Sequence, residues 1–153
     1  MEDARQKAFE LAVGAIARKE RTVAELREWL AARAVEADEI EETLDRLISI
    51  GELDDEHFAT LYAQDKRELS GWGPDRILSA LLDRGVDRAL AEAAVGGEDQ
   101  SEQAERAASL VLDRGHDLEQ EAGRGKALAF LARRGYPSEV AYQAVRLAER
   151  RAA

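Results

Sequence analysis

Three short stretches decide the fold: Leu30-Ala31-Ala32-Arg33-Ala34-Val35, Leu81-Leu82-Asp83-Arg84-Gly85-Val86 and Leu131-Ala132-Arg133-Arg134-Gly135-Tyr136. Each reads leucine, two variable residues, arginine, a small residue and an apolar one, at spacings of 51 and 50 residues. Self-similarity at a fixed period of this length marks a stacked repeat. Locally, the six residues describe one helix ending and another beginning. The small residue falls where a helix C-terminus turns left-handed, which glycine does without steric cost. The apolar residue after it can pack back onto the helix just finished. Ala34 is the imperfect copy, so the first repeat is expected to end that helix differently.

Outward from these stretches the periodicity is helical throughout. Phe9, Val13 and Ile16 make a stripe on a first helix. Thr22-x-x-Glu25 is a capping box opening a second, with Val23, Leu26 and Leu30 on one face. Glu36, Asp38 and Glu39 suit the start of a third, which buries Ile40, Leu44, Leu47 and Ile48 and stops at Gly51. The second repeat opens at the N-cap pair Asp54-Asp55 and runs through Phe58, Leu61, Tyr62 and Leu69. Gly71-Trp72-Gly73-Pro74 breaks the chain, with Pro74 in the first turn of the next helix and Ile77, Leu81 and Leu82 facing inward. A short helix is expected around 87–95, before the joint Gly96-Gly97-Glu98-Asp99. In the third repeat Ala104, Ala107, Ala108, Val111 and Leu112 form one face, ended by Gly115. Glu119 to Arg124 reads as a polar junction, followed by helices from about Lys126 to Arg134 and from Ser138 to about Arg150. The expected architecture is all-α: three tandem three-helix repeats, 1–50, 51–98 and 99–153. Three helices bury too little alone, so neighbours are expected to stack into an elongated, curved array.

Composition narrows the function. Aromatics are only 5% of the 153 residues, so the core must be Ala, Leu, Val and Ile. There is no cysteine, hence neither a disulfide nor a thiolate metal site. The N-terminus begins acidic, Met1-Glu2-Asp3, and no segment approaches the roughly 20 apolar residues of a membrane helix. A soluble, cytoplasmic, monomeric protein is expected. The net charge of −10 argues against a large nucleic-acid footprint unless charge is unevenly placed, and it is. Residues 1–50 carry 12 acids and 8 bases, 51–98 carry 11 and 5, and 99–153 carry 9 of each. Within the last repeat, 123–153 holds Arg124, Lys126, Arg133, Arg134, Arg146, Arg150 and Arg151 against Glu139 and Glu149.

Catalysis finds little support. There is no Gly-x-Ser-x-Gly, no phosphate-binding glycine loop with Lys-Ser/Thr and no His-Glu-x-x-His. Asp54-Asp55-Glu56-His57 is not a metal cluster, because consecutive helical residues point in different directions; it reads as a capped first turn. His116 reads as a surface residue after Gly115. No enzyme activity, cofactor or metal is expected.

Leu53-Asp54-Asp55-Glu56-His57-Phe58-Ala59, then Tyr62, Arg67, Gly71-Trp72-Gly73, Arg76-Ile77, Leu81 and Arg84-Gly85-Val86 resembles the central signature of the RecX family in order and spacing. The flanking repeats match as pattern, over about residues 7–150. The resemblance implies three tandem three-helix repeats in a bent rod that lodges in the groove of the RecA filament on single-stranded DNA. There it opposes filament growth, ATP hydrolysis, strand exchange and co-protease activity. It further implies partner contacts at Lys66, Arg67, Trp72, Arg76 and Arg84. Trp72, between two glycines, reads equally as a partner contact or as a plug between helices. Trp29, beside Leu26 and Leu30, is expected to pack between repeats. The charge contrast makes Arg124, Lys126, Arg133 and Arg134 candidates for facing DNA, weakly or only through the filament. The alternatives are a helical-repeat adaptor with another protein partner, favoured by the acidic charge, and independent DNA binding through helix-turn-helix-like pairs.

Overall fold

The computed structural model describes residues 2–153; Met1, where the acidic N-terminal run begins, lies outside the described residues. Nine helices and no strand are found among the described residues: α1 Glu2–Arg18, α2 Val23–Ala32, α3 Ala37–Ser49, α4 Asp55–Ser70, α5 Pro74–Asp83, α6 Arg88–Val95, α7 Gln100–Arg114, α8 Glu121–Arg134 and α9 Ser138–Ala152. None is long and apolar enough to cross a membrane. Helices pack in threes, α1 to α3, α4 to α6 and α7 to α9, giving a helical repeat array.

The repeated hexapeptide closes α2, α5 and α8 with one hydrogen-bond pattern. The N–H of Val35, Val86 and Tyr136 donates to the carbonyl of Leu30, Leu81 and Leu131, at 3.3, 3.1 and 3.1 Å. The N–H of Ala34, Gly85 and Gly135 donates three residues back, to Ala31, Leu82 and Ala132. This is a Schellman end, and its apolar sixth residue packs on the finished helix. Ala34 makes the same motif as the glycines, at φ +60°, so the first repeat ends its helix in the same way as the others. The Thr22 capping box is complete: Glu25 N–H donates to Thr22 Oγ1 at 3.1 Å and Thr22 N–H to Glu25 Oε1 at 2.9 Å.

Each repeat has its own core. Leu26, Leu30, Ile40, Leu44 and Leu47 centre the first, Phe58, Ile77, Leu81 and Val86 the second, and Val111, Phe130, Leu131, Tyr136 and Val145 the third. Small residues carry much of the packing. The buried face of α1 is Ala8, Ala12 and Ala15, while Val13 is exposed. On α4, Ala59 and Ala63 are buried, whereas Leu61 points outward and Leu69 is 83% exposed. Ile48 is likewise exposed. Close helix approach favours alanine, and the larger neighbours are displaced to the rim. Trp29 packs partly into the first core rather than between repeats. His116 is half-buried, with its ring 5.3 Å from that of Phe130 and a ring nitrogen 3.2 Å from the Val111 carbonyl.

Of the polar junction expected at 119–124, only 119 and 120 lie outside a helix; 121–124 are the first turn of α8, which starts at Glu121 and contains both Gly123 and Gly125. Gly123 is there because a Cβ would lie 2.7 Å from the Asp117 carbonyl carbon.

Candidate functional site: the joints and the Trp72 face

Neighbouring repeats meet through turns. At the first joint the Arg84-Gly85 end of α5 sits on the start of α2. Thr22 Oγ1 donates to the Arg84 carbonyl at 2.7 Å, and Gly85 faces Ala24 so closely that a Cβ there would overlap it. The Arg84 guanidinium holds both oxygens of Glu25, at 3.1 and 2.8 Å, and Asp55 Oδ1 accepts from Val23 N–H at 3.0 Å. Burial alone would raise the Glu25 carboxyl; Arg84 and the bonds to Thr22 outweigh it and hold the group below its ordinary value. Asp55 goes the other way: its burial, with Asp54 and Glu25 adding to it, outweighs the Val23 hydrogen bond and pushes its carboxyl up.

The second joint repeats the device. The Arg134-Gly135 end of α8 sits on the start of α5. Gly73 N–H donates to the Arg134 carbonyl at 2.7 Å and Asp75 N–H to the Gly135 carbonyl at 3.0 Å. Arg134 Nη1 donates to the Ser70 carbonyl at 2.5 Å. Tyr136 Oη donates to the Gly71 carbonyl at 3.1 Å and accepts from Arg106 Nη1 at 2.6 Å, while Arg106 grips both oxygens of Glu98 at 2.8 Å. Burial pushes the Tyr136 phenol up to about 12 despite the adjacent Arg106.

The second joint sets the backbone of the Arg133-Arg134 turn, from one candidate set, beside Gly73 and Arg76, close to the other. Trp72 is half-buried against the second core, its ring 6.5 Å from Tyr62 and edge-on to it. Lys66 Nζ lies 4.6 Å from its centre and Arg76 Cζ 4.2 Å. Both are within cation–π range. Arg76 Nη1 also donates to the Arg133 carbonyl at 3.4 Å. Lys66, Arg76 and Arg133 make no ion pair among the described residues, and Arg76 and Arg133 are exposed.

The other candidates lie elsewhere. Arg67 turns inward, donating to the Ala94 and Val95 carbonyls at 2.8 and 3.1 Å, with Glu98 3.7 Å away. It thereby caps the end of α6. Arg84 is engaged at the first joint and stacks over Phe58 at 4.5 Å. Arg124 bonds the Leu118 carbonyl at 2.9 Å and faces Glu149 at 3.8 Å. Lys126 is exposed near the start of α8, about 10 Å up the helix from Arg133 at 1.5 Å per residue. The four candidate bases of the third repeat are therefore two sets. Sequence reasoning missed Thr22, Asp55 and Tyr136 as joint residues. The available signal was the matched separation of cap and turn, 62 residues from Thr22 to Arg84 and 61 from Gly73 to Arg134. No group of three metal-ligating side chains occurs among the described residues.

The comparisons with known proteins agree with this architecture. Residues 8–47 match the model of the RecX first three-helix domain, and residues 54–95 that of the second. The regulatory protein RecX of Amycolatopsis mediterranei strain U-32 is 32% identical over 149 residues, covering 95% of this chain and 85% of its own length. That of Mycolicibacterium vanbaalenii is 33% identical over 135 residues, covering 82% and 73%. The crystal structure of RecX from Lactobacillus salivarius superposes with a TM-score of 0.89 at 22% identity, covering 97% of this chain and 99% of that one, which establishes a common fold. On the strength of its helical triplets, its matched joints and these relatives, the chain belongs to the RecX family of regulatory proteins.

Proposed function

We propose that this chain is a non-catalytic regulator that docks on the RecA filament on single-stranded DNA and restrains its recombinase, ATPase and co-protease activities. Family membership supports RecA as the partner. The observation that carries the docking face is the Lys66–Trp72–Arg76 cluster, where two cations that form no ion pair stack on one half-buried indole and Arg76 also meets the Arg133 carbonyl of the next repeat. An indole rimmed by charge is the composition of an interface anchor, and unpaired cations steer it toward an acidic surface or a phosphate backbone. Because Arg76 also meets the Arg133 carbonyl, a partner held there sits at the edge of the third repeat. Preferential binding to a non-extending filament state would shift the population toward that state. DNA is met through the filament.

The test is a titration of this protein into cognate RecA turning over ATP on single-stranded DNA. Substoichiometric protein is expected to lower hydrolysis. The triple variant Lys66→Glu/Arg76→Glu/Arg133→Glu should lose that effect while keeping its helical circular dichroism. Unchanged hydrolysis at equimolar wild-type protein refutes the function, and full potency of the folded triple variant refutes the face.

A further inference from the structure

The arginine of the repeated hexapeptide occurs three times, and two copies reach onto the preceding repeat. Arg84 takes Glu25, and Arg134 takes the Ser70 carbonyl. Arg33, in the first of the three described repeats, stays within its own repeat. Its guanidinium lies on Trp29, with Cζ 3.6 Å from the ring centre, and donates to the Trp29 carbonyl at 3.2 Å. Two more guanidinium groups share the ring: Arg21, from the α1–α2 loop, at 5.3 Å and Arg18, from the last turn of α1, at 5.8 Å. Arg21 also donates to the Ala15 carbonyl. None of the three forms an ion pair among the described residues. The repeat around them is nonetheless net acidic, with 12 acids and 8 bases. The indole offsets part of the mutual repulsion, and an arriving anion would offset the rest.

Of the two copies that meet a neighbouring repeat, Arg134 takes a backbone carbonyl and Arg84 a charged side chain. Arg84 grips a carboxylate at the third position of a helix, where the capping box has already fixed it. We propose that the Arg18–Arg21–Arg33–Trp29 face binds a short acidic segment of a partner protein, with glutamates in the first turn of a helix, held by Arg33 as Glu25 is held by Arg84. The compactness of the cluster favours this over a nucleic acid. Three cations around one ring match one or two carboxylates, whereas a phosphate chain requires a continuous basic track. Here Glu20, Glu28 and Glu36 flank the cluster in the sequence. The indole face nearest Arg33 is already covered, so it offers no stacking platform for a base. The site is separate from the Trp72 face and does not depend on the function proposed above.

The test uses the full chain with Trp72→Phe, which leaves Trp29 as the sole tryptophan reporter. Three probes are titrated: a short acetylated helical peptide beginning Ser-Pro-Glu-Glu, the same peptide with glutamine for glutamate, and an oligothymidylate of equal length. The glutamate peptide should change Trp29 emission saturably, and added salt should weaken it. Arg33→Gln and Arg18→Gln should each weaken it about tenfold, the scale of one charge-assisted contact. Circular dichroism and melting identify folded variants; Arg18 is exposed on a helix end, so its variant carries the test if Arg33→Gln does not fold. The proposal is overturned by no saturable response, an equal response to the glutamine peptide, undiminished binding by the folded variants, or tighter binding of the oligothymidylate. Failure here leaves the RecA titration unaffected, because that experiment reads the other face.

Discussion

Replacing Gly135 with alanine perturbs the second joint through a single carbon. Gly135 sits at φ +95°, where an L-residue is strained by about 1–2 kcal/mol. Its Cβ would also lie 2.6 Å from the Arg76 nitrogen and 2.9 Å from the Arg76 Cα, backbone atoms that cannot swing aside. Relieving that overlap adds about 1–3 kcal/mol of overpacking. The sum is about 2–5 kcal/mol. Gly115→Ala is the control: its φ is +77°, but nothing lies within 4 Å of the added carbon, so only the strain of about 1–2 kcal/mol applies. The excess of Gly135→Ala over Gly115→Ala therefore isolates the close approach of two repeats. Urea denaturation followed by circular dichroism gives both losses. Amide exchange at Gly73 and Asp75, which donate to the Arg134 and Gly135 carbonyls, should quicken only in Gly135→Ala. If Gly135→Ala loses no more than Gly115→Ala, or leaves those amides protected, the account of the joint is wrong.

The Arg84–Glu25 pair should show a coupling of about 1 kcal/mol in a double-mutant cycle, since it is bidentate but partly exposed. The Glu25 carboxyl is held low in the fold, so this coupling is present above the unfolded value of about 4.3 and lost as pH falls through the lower folded value. Repeating the cycle between neutral and acid pH checks this; the raised Asp55 carboxyl, common to every corner of the cycle, acts in the opposite sense. Tyr136→Phe removes the buried donor to Gly71 and the acceptor for Arg106, and should lower stability by about 1–3 kcal/mol in the same urea assay. Its ultraviolet titration should lack the phenol that ionises near pH 12.

Much of this fold was legible because its decisive features are local. A Schellman end is set within six residues, so Leu81 to Val86 and Leu131 to Tyr136 declare it without knowledge of anything distant. Thr22 and Glu25 declare their capping box in the same way. The cores were less legible. Val13, Leu61 and Leu69 attract attention as large apolar residues, yet Ala12, Ala59 and Ala63 occupy the tight helix contacts. The glycines of α8 looked like a break; the demand on Gly123, the nearby Asp117 carbonyl, comes from the loop packed beside it. How the expected stacking is achieved was not legible: each repeat keeps its own core and meets the next through hydrogen-bonded turns. Of the candidate site, Lys66, Trp72 and Arg76 were visible as a sequence neighbourhood. That the Arg133 carbonyl meets Arg76, and that Arg67 turns away to cap α6, depends on tertiary geometry no spacing reveals.

Ala34 is the one hexapeptide position where a methyl group stands in place of a hydrogen. At Gly85 and Gly135 that space must be empty for another repeat to come up against it. At the first repeat the Ala34 methyl already occupies that space, so a surface engaged by Arg33 must stand off about one carbon further than Ala24 does from Gly85. One added carbon thus sets the clearance of an otherwise repeated socket.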